Sequence, residues 1–340
     1  MKQTLILALV ASLFLVSCTK DKEILNVLNT YNLEMESKGY VLGETIELPQ
    51  EVTQNAKTIT LSFGDQSTDK LVVDPKFFLL GDNAVTFQVE TSSGEVLSQD
   101  ATINVFAKNP EKEQNFEIVQ QYPHDTSLFT QGFYLEGNTI YESDGKNGGS
   151  RLVTYPLGST TLSQVTMQPQ DVFAEGLAVV GDKIFQLTWY NKKGFIYDKN
   201  TLNLLGEFPY PGMMGEGWGL TFDGKQLIAS DGSKNLYFLD SENPSTILKV
   251  IGVAGHKEVF SQLNELEYHK GFIYANVWQK PIVLKIDPAF GEVVATYDFS
   301  QLALKHTTGN DDVLNGITFK GENMLVTGKN WPTIYEVRTN

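Results

Sequence analysis

The sequence predicts an all-β protein: a five-bladed β-propeller over residues 115–340, preceded by a small immunoglobulin-like β-sandwich over 24–109. Three observations carry this. Phe and Tyr number 20 and 14, and Gly 29 against 12 Pro, a balance of strand formers and turn formers. Many short runs alternate apolar and polar residues with a period of two. Finally, one strand–turn–strand pattern recurs five times, starting at residues 131, 175, 218, 264 and 315, so that consecutive starts lie 44, 43, 46 and 51 residues apart.

The chain has 340 residues, with 41 Asp or Glu, 26 Lys or Arg and a net charge of −15. That length holds one large domain or two ordinary ones. The acidic balance and the lack of a Lys/Arg stripe argue against a nucleic-acid partner. At the start, Lys2 precedes an apolar run from Leu5 to Val16, too short for a membrane span and right for an export signal. The following LVSC at 15–18 resembles a bacterial lipobox, which expects cleavage after residue 17 and a lipid anchor on Cys18, the single cysteine. Residues 18–23 then read as a solvated tether. Thr19 lacks the Asp of an inner-membrane retention signal, so the expected location is the cell envelope at the outer membrane, on either face.

Residues 24–109 contain YVLGETIEL (40–48), KTITLSF (57–63), NAVTFQVE (83–90) and ATINVFA (101–107), separated by turn residues. They read as half-buried strands of a sandwich without clustered catalytic residue types, a spacer more than a binding module. The polar stretch 110–114 reads as a linker. Beyond it, each repeat opens with a hairpin, QGFYLEGNTIYESDG from 131 being the first, and continues with two further strand-like runs. Four strands per unit at this period are the signature of a propeller blade. The fifth unit ends one strand short, and the orphan NFEIVQQY (115–122) can complete it, which would close the ring without a free sheet edge.

In a propeller the first strand of each blade lines the channel. The five equivalent starting positions are Gln131, Glu175, Trp218, Asn264 and Asn315, none of them aliphatic. The antiparallel second strands end beside them, at Asp144-Gly145, Thr188-Trp189, Asp231-Gly232, Val277-Trp278 and Lys329-Asn330. One end of the channel therefore gathers a carboxylate, an ammonium, three amides and three of the four tryptophans. Trp218, Trp189 and Trp278 occur in only some repeats, which suits a ligand wall better than blade packing. Asn315 is taken with them as a substrate-binding residue, although it fits backbone satisfaction equally well; Asp144 and Asp231 read as turn residues, and Glu142 is either catalytic or a supporting partner. The four His show no H-x-x-x-H spacing, and no GxxxxGK[ST] or GxSxG occurs, so neither zinc, phosphate-cradling nor serine-nucleophile chemistry is expected. Nothing demands a metal, although a Ca²⁺ at channel carbonyls or at Asp311 and Asp312 is left open. At this level an enzyme, a non-catalytic peptide- or glycan-binding propeller, and a metal-dependent hydrolase are all compatible with the pattern.

FTQGF (129–133), EGL (175–177), GFIYD (194–198), GWGL (217–220), LNELEY (263–268), ANVW (275–278), VLNGI (313–317) and TGKNWP (327–332) resemble, in order, the plant-type glutamine cyclotransferases. The resemblance covers the whole propeller and not the N-terminal unit. It implies a five-bladed propeller that converts the N-terminal glutamine of peptides or proteins to pyroglutamate with release of ammonia, without metal or cofactor. It also implies catalytic roles for Glu175, Lys329 and Asn264 and substrate contacts from Gln131, Trp189, Trp218 and Trp278, with Glu175 as the proton shuttle. The chain departs from the family pattern after the first hairpin, where it reads ESDGKNGGSR (142–151), and that loop bears on which peptides are accepted.

Overall fold

A computed structural model describes residues 21–306 and 309–339, which fall into two compact units, one up to Lys108 and one from Asn109. The segment expected to be an export signal, and Cys18, lie outside the described residues. No described helix is long and apolar enough to cross a membrane.

The N-terminal unit departs from the expected sandwich. Its five strands form one sheet, and its second layer is a helix over 21–38. Ile24 and Leu28 stand one turn apart on that helix and pack with Val52, Val89 and Leu97, so a helical stripe covers the sheet face that a second sheet was expected to cover. The helix also takes up residues 21–23, expected as tether, with Asp21 buried. The run at 40–48 contributes only the two-residue strand Tyr40–Val41 and a bridge at Thr45.

The described residues of the second unit form five further sheets, each with four antiparallel strands. The first strand of each is Thr130–Glu136, Ala174–Val180, Leu220–Phe222, Leu263–His269 or Leu314–Lys320. These five strands neighbour one another in a closed cycle, the last lying against the first. The fifth sheet borrows its outer strand from the start of the unit: Phe116–Pro123 pairs with Thr333–Thr339 in the register Tyr122 to Ile334 and Glu117 to Arg338. The expected linker is part of a sheet as well. Lys112–Gln114 adds a fifth, parallel strand beside Val293–Asp298.

The apolar core is divided among the sheet interfaces. Phe133, Ile140 and Tyr155 of the first sheet pack with Leu325 and Ile334 of the fifth, and comparable clusters lie between each other neighbouring pair. Trp331, the fourth tryptophan, is fully buried in one of them. Close approach near the axis dictates glycine. A Cβ on Gly176 would stand 2.6 Å from the Trp218 carbonyl oxygen, whereas the existing backbone donates Gly176 N–H to that oxygen at 2.6 Å. The fourth repeat has Glu265 at this position, and its buried carboxylate accepts the backbone N–H groups of Ile317 (2.8 Å) and Phe133 (3.3 Å). Burial raises the pKa of Glu265 and pushes that of Glu267, two residues along the strand, up to about 8, which favours neutral acids in the interior.

Candidate active site

In four of the five inner strands the ladder slips at one end: between Thr130 and Gly132, Ala174 and Leu177, Leu263 and Leu266, and Leu314 and Ile317. The residues inside these bulges include Gln131, Glu175, Asn264 and Asn315. A bulge leaves its extra residue free of strict alternation, so its side chain can be re-aimed. Four of the five starting positions singled out by the repeat are therefore places where the sheets stop behaving as regular sheets, Trp218 being the exception.

Gln131, Glu175, Trp218 and Asn264 line one pocket of about 270 Å³, joined by Trp189, Trp278 and Lys329 from the strand ends beside them. Asn315 does not line it. Instead, its Nδ2 donates to the Thr130 carbonyl (2.8 Å) and to Gln131 Oε1 (3.2 Å), which turns Gln131 Nε2 toward Glu175 Oε1 (3.4 Å). Among the described residues that long hydrogen bond is the only one the Glu175 carboxylate makes, and the residue is 5% exposed.

Three further residues line the pocket: Phe129 and Phe173, whose part in it the sequence did not show, and Asp311, which it offered only as a cation ligand. Phe129 stands one residue before Thr130, the first residue of the strand, inside the FTQGF motif; its ring lies 4.7 Å from Lys329 Nζ and edge-on to Phe173, which in turn meets Trp189 edge-on. Trp218 and Trp278 form a second edge-to-face pair at 5.8 Å. Asp144 and Asp231 are not simple turn residues. Asp144 is fully buried, accepts Phe129 N–H at 2.8 Å and pairs with Arg151 at 2.6 Å, so it holds the Phe129 backbone. Asp231 accepts from Gly215 N–H, Ser233 and the Tyr237 hydroxyl. Asp312, weighed with Asp311 as a cation site, instead receives Asn330 Nδ2 at 3.0 Å.

The electrostatics of the pocket are those of two desolvated groups of opposite sign. Burial raises the Glu175 carboxyl well above its ordinary range, Lys329 opposes that shift, and the Glu216 carboxylate adds to it. Burial lowers the Lys329 ammonium to about 8, against the pull of Glu175 and Asp311. Asn264 Oδ1 is buried and has no hydrogen-bond partner among the described residues. The pocket thus holds a proton acceptor of raised basicity, a cationic donor, a free amide and an aromatic wall.

Residues 89–339 match the family model for glutamine cyclotransferase. The chain belongs to the glutamine cyclotransferase family. It is 36% identical over 228 residues to the glutaminyl-peptide cyclotransferase of Arabidopsis thaliana, covering 65% of this chain and 70% of that one. It also resembles the crystal structure of Myxococcus xanthus glutaminyl cyclase, with a TM-score of 0.62 and 32% identity over 68% of this chain and 98% of the other. The family match ends where the last strand of the fifth sheet ends, so the pocket and all five sheets around it lie within the cyclotransferase region.

Proposed function

We propose that this pocket closes an N-terminal glutamine into pyroglutamate, with Glu175 carrying the proton. The protein is a glutaminyl-peptide cyclotransferase, and the observation that supports the assignment of roles is a buried carboxylate with a single long hydrogen bond facing a desolvated ammonium in one pocket. A volume of about 270 Å³ suits one glutaminyl side chain folded on itself better than an extended peptide.

The substrate α-amine has a pKa of about 8 and must attack as free base. Glu175 takes its proton as the nitrogen adds to the side-chain carboxamide carbon. Raised basicity narrows the gap between the two groups and also makes the protonated carboxyl a competent acid. The oxygen of the tetrahedral intermediate becomes negative and is held by Lys329, still largely protonated at neutral pH. Glu175 returns the proton to the amide nitrogen, the carbon–nitrogen bond breaks and ammonia leaves, so the one proton taken is the one delivered. Asn264 offers its unpaired oxygen to a substrate N–H. Trp189, Trp218 and Trp278 hold the flexible side chain near its ring geometry, chiefly an entropic contribution. Each step is supplied by side chains without a metal.

The closed cycle of inner strands and the shared fifth sheet support reading this unit as a five-bladed propeller. The LVSC sequence supports an exported protein anchored to the cell envelope through Cys18, and replacing Cys18 by Ala should release it to the soluble fraction. The deciding assay follows ammonia release and the matching mass loss from a peptide beginning in Gln, with and without chelator, beside Glu175→Gln. Chelator-resistant turnover that disappears in the variant is expected. Binding of the peptide without turnover would point to a non-catalytic module.

A further inference from the structure

One carboxylate outside the pocket wall is built into it. Glu216 Oε2 receives the indole N–H of Trp189 at 2.6 Å and that of Trp218 at 2.8 Å, so a single oxygen ties together two lining residues from different sheets. Among the described residues no cation forms an ion pair with Glu216. Its position is itself fixed. Lys192 Nζ donates to the carbonyls of Met214 and Gly215, Gly215 N–H donates to Asp231 at 3.2 Å, and Gly217 N–H donates to the Trp189 carbonyl at 2.9 Å. Gly232 packs closely against the Trp218 ring, where a Cβ would come within 2.7 Å. The loop before the third inner strand is therefore a clamp with Glu216 as its jaw.

We propose that Glu216 is the positioning residue of the indole wall: its carboxylate fixes where Trp189 and Trp218 stand, and through them the folded shape of the glutaminyl side chain. This rests on the cyclotransferase reading of the pocket. An indole N–H on a neutral acceptor would suffice to hold a ring, but the charge has a second effect. The charged groups facing Glu175 are Lys329 and Glu216, with Asp311 acting on Lys329, and of these Glu216 alone strengthens Glu175 as a base.

The test compares Glu216→Gln with Glu216→Ala in the purified protein. Near-ultraviolet circular dichroism reports the tryptophan environment, and steady-state ammonia release from a peptide beginning in Gln reports the reaction. A carboxamide oxygen can still accept both indoles, so Glu216→Gln should keep the tryptophan spectrum and KM while moving the acidic limb of the pH profile to lower pH. Glu216→Ala should lose the spectrum and raise KM about 10-fold, because a misplaced wall no longer preorganises the substrate. An unchanged spectrum and unchanged KM in Glu216→Ala overturn the proposal, as does a Gln variant that folds but is no better than Ala. Wild-type protein inert toward the peptide would sink the cyclotransferase reading instead, while the spectra still decide whether Glu216 holds the indoles.

Discussion

Two buried glutamates in neighbouring sheets, Glu142 and Glu175, are almost equally hidden and differ in what meets them. Glu142 is fully enclosed: it accepts from Thr130 Oγ1 at 2.7 Å, Tyr155 Oη at 2.5 Å and His124 Nε2 at 3.0 Å. His124 Nδ1 faces the Trp331 carbonyl at 2.7 Å, so each ring nitrogen has an oxygen acceptor in reach, an arrangement that favours the cationic imidazole. Burial alone would lower the His124 pKa, yet attraction and hydrogen bonding from Glu142 outweigh it and the net shift is upward. Glu175 has one long hydrogen bond and a cavity. The difference teaches that burial marks neither residue as functional by itself. A carboxylate whose lone pairs are all taken holds the sheets together, and one whose lone pairs are left open can take a proton from something that arrives.

The comparison is sharpened most by Glu175→Gln, which should cost about 10³-fold in kcat and leave the unfolding midpoint where it was. Glu142→Ala should do the reverse: a loss of about 3–5 kcal/mol in denaturant unfolding, from stranding a buried His124 charge, with kcat little changed in the protein that remains folded. If a folded Glu142 variant instead lost catalysis as deeply as Glu175→Gln, the division of labour between the two glutamates would be broken. Lys329→Met should lower kcat about 10²-fold. In the wild type, activity should fall as pH rises through about 8, where Lys329 loses its proton, and that alkaline limb should vanish in the variant. The smallest effect belongs to Asn315→Ala. It frees the Gln131 carboxamide at a cost of about 1 kcal/mol, seen as a few-fold rise in KM with kcat nearly kept.

Much of this was legible in the sequence because a repeat exposes equivalence. Aligning five hairpins put Gln131, Glu175, Trp218 and Asn264 at one level, and antiparallel pairing put Trp189, Trp278 and Lys329 beside them. The same alignment gave Asn315 equal standing, since the pattern shows that a residue lies at the mouth and not which way its bulge turns it. Glu216 was invisible for another reason: its partners are 27 positions before it and two after it, and nothing in linear spacing marks a carboxylate shared by two indoles. Asp144 looked like a turn because Asp-Gly usually is one, while its pairing with Arg151 follows from the register of the next antiparallel strand, which places the two directly opposite. In the N-terminal unit the strand runs drew attention from Ile24, Leu28 and Met35, whose spacing is helical and whose side chains are buried. Lys112–Gln114 carried no apolar signal because a parallel edge strand can be held by backbone hydrogen bonds alone.

The shared fifth sheet sets a condition on how the molecule comes into being. Arg338 and Glu117 pair across 221 positions of chain, and the strand Phe116–Pro123 has no partner until residues 333–339 exist. At a synthesis rate of about 5–20 residues per second, that strand waits roughly 10–40 s with an unpaired edge. Until then the sheet at the join between the first and last repeats is incomplete, and its unpaired edge is open to pairing with the same edge of a neighbouring chain. Isoleucine and valine at 118 and 119 make the waiting edge adhesive, while Glu117 and the glutamines at 120 and 121 temper it. Closure cannot come before the end of the chain does, and the time before it is when that edge is open to pairing with the wrong copy.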